Sequence, residues 1–151
     1  MATLGDIRAH IAAELATIVS CTDQPFDLTS GRIWLGHHFR TNDEDYKTDL
    51  VDYGPQVVIE PGEVISWLVQ TRKGTARVRI RVNFGFNQTE DRDLMDEEAL
   101  IQDILFTLSQ STGLTPMSMQ VVRPNLDQIR TGLLEYVIVT DGWWICGTGC
   151  G

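Results

Sequence analysis

The sequence predicts an α+β domain in which a largely antiparallel sheet has two main helices packed on one face. Two segments show helical periodicity, short β-rich segments occur in runs between them, and one of these alternates strictly between apolar and polar residues. Runs of strands between helices, rather than single alternation, are typical of the α+β class. The 151 residues, 42% hydrophobic and 22% charged, fit one domain spanning 1–151.

The first predicted helix covers residues 3–18. Thr3 followed by Asp6 resembles a capping box built with the shorter acid. The turn-forming stretch CTDQPFDLTSGR then ends the helix. The apolar residues recur at three- and four-residue spacing, which places them on one face: Leu4, Ile7, Ile11, Leu15 and Ile18.

The next elements are short strands separated by a loop. RIWLGHHF is rich in β formers and predicts the first strand. Residues 41–54, TNDEDYKTDLVDYG, hold five acidic residues without usable periodicity and predict a long exposed loop. PQVVIE and VISWLVQ then predict two strands joined by a tight Pro-Gly turn near residue 61.

The clearest strand signal lies in RKGTARVRIRVNFGF, residues 72–86. Its apolar positions predict a buried face, and its polar positions a face that is wet or covered by a partner. The apolar set is Ala76, Val78, Ile80, Val82, Phe84 and Phe86, and the alternating polar set is Arg77, Arg79, Arg81 and Asn83.

A second helix is predicted over residues 93–110, with acidic residues near its N-terminus, where the helix dipole favours negative charge. STGLTP closes it. Two strands follow, around MSMQVVRP and LLEYVIVT. The glycine-rich segment 141–151 is predicted to be irregular.

The charge balance narrows the function classes. The chain has 12 Lys+Arg against 21 Asp+Glu, a formal net charge of -9, which argues against a general binder of nucleic acid or anionic membranes. No targeting segment or membrane span is visible. The odd set of Cys21, Cys146 and Cys150 predicts free thiols and synthesis in a cytoplasm.

Candidate catalytic and metal-binding residues are sparse. His37 and His38 lie beside acidic residues, but adjacent strand residues point to opposite faces and do not easily share one ion. Cys146 and Cys150 make neither a CxxC motif nor a complete zinc set. No phosphate-binding loop or nucleophile elbow is present. We therefore expect no enzyme, no cofactor and no bound metal.

Two features point to protein contacts instead. Trp143 and Trp144 are adjacent, so they either both pack over a sheet edge or provide an anchor in a protein–protein contact. The alternating arginines have three readings: solvated charges paired across strands, phosphate contacts with nucleic acid, or contacts with an acidic partner such as a second copy. The net charge favours the acidic partner over nucleic acid.

The succession of elements resembles the tail-terminator proteins of tailed bacteriophages and the related head–tail joining (neck) proteins. TLGDIRAHIAAELATIV, ARVRIRVNFGFNQTEDRDLMDEEALIQDILFTLSQ and LLEYVIVTDGW show the resemblance, which covers most of the chain as a pattern of elements. The segment WWICGTGCG and the Pro-Gly hairpin have no match in it.

This resemblance implies a non-enzymatic virion protein, assembled in the bacterial cytoplasm. Six copies would form a ring that caps the tail tube and meets the neck, and the sheath in a contractile tail, while DNA passes through an acidic lumen without specific binding. It implies no membrane partner. The expected subunit or tube contacts are Arg77, Arg79, Arg81, Lys73, Asp43, Glu44, Asp45, Asp49, Trp143 and Trp144.

Three alternatives stay open. Another neck or tail-tube component would have the same sequence features. A nucleic-acid-binding module would use Arg77, Arg79 and Arg81 and bind DNA with strong salt dependence. An enzyme would depend on His37, His38 or an acidic pair.

Overall fold

The computed structural model describes residues 2–18, 32–36, 50, 55–85, 94–111, 113–125 and 133–146. This part of the chain forms two helices and one six-stranded sheet. In chain order the elements are α1 (Leu4–Leu15), β1 (Ile33–Leu35), β2 (Gln56–Ile59), β3 (Glu63–Leu68), β4 (Lys73–Gly85), α2 (Leu94–Gln110), β5 (Ser118–Val122) and β6 (Leu133–Cys146).

The sheet has the order β1-β2-β4-β6-β5, and β3 pairs with β4 outside this path. The β1–β2 pair is parallel, and the other strand pairs of the described sheet are antiparallel. The predicted α+β class with a largely antiparallel sheet is therefore confirmed.

β2 and β3 pair one after the other with the same edge of β4. Ile59 lies opposite Ile80 and Glu63 opposite Arg77, while β6 occupies the other edge of β4 along its length. Both strands run antiparallel to β4 and hence in the same direction. The predicted Pro-Gly hairpin turn is therefore wrong. Pro61 has no N–H to donate and interrupts the ladder, but the chain does not reverse.

The start of α1 agrees with the predicted capping box. The Asp6 amide donates to Thr3 Oγ1 at 3.2 Å, and the Thr3 amide donates to Asp6 Oδ2 at 3.0 Å. That backbone hydrogen bond from Thr3 is the main reason why the pKa of Asp6 lies below its ordinary value. The helix ends at Leu15 rather than at 18, with Ala16 as its C-cap.

Both helices cover the same face of the sheet. Every second residue of β4 from Gly74 to Phe84 is buried there, as the alternation predicts. One continuous core joins this face to the helices, with α1 contributing Ile7, Ile11 and Leu15 and α2 contributing Leu100, Ile101, Ile104 and Leu108.

A polar contact fixes the N-terminal turns of α2 over β6. Glu97 is buried, and the Tyr136 hydroxyl donates to Glu97 Oε2 at 3.2 Å. Burial, together with the nearby negative charge of Glu97, raises the pKa of Tyr136 to about 12. Tyr136 lies opposite Val82, so this part of α2 sits above the C-terminal half of β4.

β6 is longer than the sequence indicated. It continues through Asp141–Cys146, so the prediction of irregular structure is wrong for these residues, and 147–151 lie outside the described residues. Gly142 makes this possible because it has a φ of 83° where the β4–β6 register shifts. A side chain there would approach Met117 Cβ to 2.5 Å. The glycine therefore forms a bulge that continues the strand.

Candidate interaction surface

The face of the sheet opposite the helices holds the arginine row in β4. Arg77 Nε donates to Asp141 Oδ1 at 2.6 Å and its Nη2 to Asp141 Oδ2 at 2.9 Å, a bidentate pair. Arg79 pairs with Glu63. Because alternate residues of neighbouring antiparallel strands share one face, acids on β3 and β6 lie within reach of these arginines.

Arg81 has two carboxylate partners. It pairs with Glu60, and its Nη1 donates to Glu135 Oε1 at 2.8 Å. Burial opposes the charge on Arg81, but the hydrogen bonds and charges of Glu60 and Glu135 together raise its pKa. Each arginine of this row therefore has a carboxylate partner within the chain. This corresponds to the first of the three interpretations given above, charges paired across strands.

The Arg77–Asp141 pair shifts both partners. The hydrogen bond with Arg77 lowers the pKa of Asp141, and the same bond raises the pKa of Arg77. Both side chains are about one-third exposed, so solvent screens the attraction. We regard this pair as a contact that fixes strand register more than as a large source of stability.

The turn that joins β3 to β4 projects as an exposed apolar end of the sheet. All six residues of β3 are exposed, and the turn residue Val69 is 81% exposed. The Arg72 amide donates to Leu68 O at 2.8 Å and closes the turn, and Arg72 has a φ of 56°. Monomeric proteins rarely leave such an edge strand uncovered.

The basic residues of this turn differ from the arginine row. Within the part of the chain that the structure describes, Arg72 and Lys73 have no carboxylate within ion-pair distance. Gly74 follows them because a side chain there would collide with the Ser66 carbonyl at 2.3 Å and with the Trp67 ring at 2.8 Å. The turn thus combines exposed apolar side chains with two cations.

The adjacent tryptophans have separate environments. Trp143 is fully buried in the core, and its Nε1 donates to Thr140 Oγ1 at 2.7 Å. Trp144 is 51% exposed and lies on the arginine face, opposite Thr75. Of the two, only Trp144 presents its ring at the surface.

The outer side of α2 is a second exposed feature, which the sequence pattern did not indicate. Phe106 is 62% exposed, and Asp103 is exposed one turn earlier on the same side. The helix has no basic residue in its last turn. Phe106 lies at the border of the apolar stripe of α2. Spacing alone does not show whether a phenylalanine at such a border is buried or exposed.

A serine–histidine contact joins the two helices. Ser111 Oγ lies 2.6 Å from His10 Nε2, and Ser111 Oγ also lies 3.5 Å from Glu14 Oε1. In a catalytic triad the carboxylate would bind the imidazole, whereas here the described contact joins it to the serine. This cluster therefore ties α1 to the C-terminal end of α2.

The structure brings some predicted site residues together and leaves others outside its description. Lys73 and Trp144 lie near one another at the β3–β4 end of the sheet, and the three arginines lie along the same face. Asp43, Glu44, Asp45 and Asp49 lie outside the described residues, as do His37 and His38. Within predicted loop 41–54 the structure describes Leu50 alone, which is buried.

The described ranges contain neither a cluster of metal-ligating side chains nor a membrane-spanning helix. No three His, Cys, Asp or Glu side chains of this part of the chain cluster as a metal site would require. None of its helices is long and apolar enough to cross a membrane.

No protein-family model matches the sequence, and no curated protein is found to be related to it.

Proposed function

We propose that this chain is a structural subunit of a tailed-bacteriophage virion, and that six copies form a ring that caps the tail tube and joins it to the neck. The observation that supports a subunit role best is the outer edge of β3, which pairs with no strand other than β4 among the described residues, together with its apolar turn. The order of the elements, which resembles that of tail-terminator proteins, supplies the particular role.

An uncovered edge strand favours assembly for a physical reason. Its outer N–H and C=O groups are available to another chain, and its apolar side chains gain by leaving water. In a monomer, the same edge would be an aggregation hazard. A ring of identical subunits removes the hazard, since each edge is covered by the next copy in a closed, head-to-tail arrangement.

The charge distribution favours this function over nucleic-acid binding. Each arginine of the β4 row already has a carboxylate partner, so phosphate contact would have to displace Asp141, Glu63 or the two partners of Arg81. The net charge of -9 also repels DNA, which suits a lumen through which DNA slides. Another neck or tail-tube component remains the nearest alternative.

The test is the mass of the purified protein over a concentration series, with electron microscopy of the same samples. One subunit is 17.0 kDa, so a ring of six has about six times this mass, about 102 kDa. We expect that mass and a six-fold ring with an open centre, in solution or on added tail tubes. Absence of rings in both settings contradicts the proposal, and binding along the tube rather than at its end favours the tube component.

A further inference from the structure

Two exposed patches of the described chain have complementary chemistry. The first, the hairpin tip, consists of Trp67, Leu68, Val69, Arg72 and Lys73. The second, the helix patch, consists of Asp103 and Phe106 on the outer side of α2. Both combine exposed apolar surface with charge, and the signs of the charges are opposite.

The hairpin tip is the part of the basic segment that is left for a partner. Arg77, Arg79 and Arg81 are paired with acids of the same chain, whereas Arg72 and Lys73 have no ion-pair partner among the described residues. The two cations lie beside the apolar side chains of the turn. A partner for this tip should therefore offer an apolar group with negative charge next to it.

The helix patch has those properties. Phe106 offers an exposed ring, and Asp103 lies one turn away with no ion-pair partner in the described part of the chain. The patch lies in the C-terminal half of α2, whose last turn has no basic residue to offset the negative end of the helix dipole. Cations of a docked chain would complement both the carboxylate and the dipole.

The two patches of one molecule do not cover each other. Trp67, Leu68, Val69 and Phe106 all remain exposed in the folded chain. The helix patch also faces away from the sheet, because Ile101, Ile104 and Leu108 point into the core.

We propose that the hairpin tip of one copy binds the helix patch of the next copy. This inference rests on the proposed ring and names the surfaces that would close it. Because the two surfaces differ, the contact is head-to-tail and repeats around a ring. An apolar centre with charged residues at its rim is the usual anatomy of such interfaces.

The experiment uses charge reversal on each side and then recombination. The tip variant is Arg72→Asp with Lys73→Glu, where Asp suits the positive φ of Arg72. The helix variant is Asp103→Lys. Arg123→Glu, at an exposed residue outside both patches, is the matched control. Circular dichroism checks that each variant folds, and sedimentation velocity measures assembly, in solution or on tail tubes if the wild type assembles only there.

We expect each reversed variant alone to associate roughly a hundredfold more weakly, because like charges then face each other. Mixed in equal amounts, the two variants should re-form a ring of wild-type mass with alternating subunits, since opposite charges then meet at every contact. Arg123→Glu should assemble like the wild type.

Other outcomes overturn the inference in distinguishable ways. Rings formed by each reversed variant alone, or a mixture that stays monomeric, reject this pair of surfaces while wild-type rings leave the proposed function standing. A wild type that forms no ring in solution or on tubes rejects both. Wild-type monomers that bind phosphatidylglycerol vesicles through Trp67 instead identify a membrane as the occupant of the tip.

Discussion

Between Ile80 and Asn83, β4 is flanked by β2 and β6 and contributes buried side chains to the core under the two helices. Between Lys73 and Ala76, β3 takes the place of β2, and the residues of β3 are all exposed. Burial alternates along β4 from Lys73 to Val82, whereas the residues from Val82 to Gly85 are all buried. The difference comes from the neighbouring strand: β2 is wholly buried and β3 wholly exposed. An apolar strand can thus belong to the sheet without belonging to the core, and such a strand indicates a surface for a partner.

The two ends of β4 meet at the bulge in β6. The register shifts between Ala76 and Arg77, where Gly142 is the extra residue. Trp143, on one side of this bulge, lies opposite Ala76 and belongs to the core, whereas Asp141, on the other side, lies opposite Arg77 on the partly exposed face. Changes at these three positions of β6 therefore compare core packing, backbone conformation and a surface ion pair around one bulge.

The largest expected effect is that of Trp143→Ala. Removal of this fully buried ring should destabilise the protein by about 3–5 kcal/mol, as large core truncations do. Trp144→Ala, its matched control, should lower the free energy of unfolding by only about 1 kcal/mol, because about half of that ring is already exposed. Urea unfolding followed by far-UV circular dichroism measures both. Equal effects would mean that the two rings do not have different environments.

The next largest effect is expected for Gly142→Ala. Alanine at a positive φ is strained, and its Cβ would overlap Met117, so we expect a loss of roughly 2–3 kcal/mol. Gly113→Ala is the control: Gly113 has a φ of 94° but nothing within 4 Å of its added Cβ. It should cost about 1 kcal/mol. If both variants lose the same amount, Met117 does not restrict the bulge.

The smallest effect concerns pH. Arg77 lowers the pKa of Asp141 below its ordinary value of 3.8, so the carboxylate stabilises the fold above that value and this contribution is lost as pH falls through the lower, folded pKa. Asp141→Asn should therefore reduce stability at pH 7 by less than about 1 kcal/mol and make the acid decline shallower. Thermal unfolding between pH 7 and pH 2 measures this, with Asp103→Asn as the control. A decline as steep as that of the wild type would contradict the assignment.

Local patterns predicted the elements whose structure is set by neighbours in the chain. Spacing and caps located α1 and α2 within a few residues, and period-two alternation identified β4 and its buried face. The strand around LLEYVIVT was identified too, but its continuation was not. Glycine at residue 142 indicated a break, although a bulge lets the strand continue.

Features set by distant partners were not predictable from the sequence. A Pro-Gly pair indicates a local turn, but whether the chain reverses at Pro61 depends on β4, which offers one edge long enough for β2 and β3 in succession. The partners of the arginines likewise depend on strand register, which the bulge at Gly142 shifts. That the acidic residues of 41–49 form subunit or tube contacts remains a prediction. The same holds for the three arginines of β4.

The long ladder between β4 and β6 has a mechanical consequence. It runs from the Lys73–Cys146 pair to the Gly85–Leu133 pair with one bulge at Gly142, so the exposed end and the core share one ribbon. A pull along this ribbon loads many hydrogen bonds sideways at once, since they lie perpendicular to the strands. A peeling force would break them one at a time. Tension applied along β4 at the β3–β4 turn is therefore shared by many hydrogen bonds in the body of the subunit. We expect this turn to resist pulling along the strand better than peeling across it.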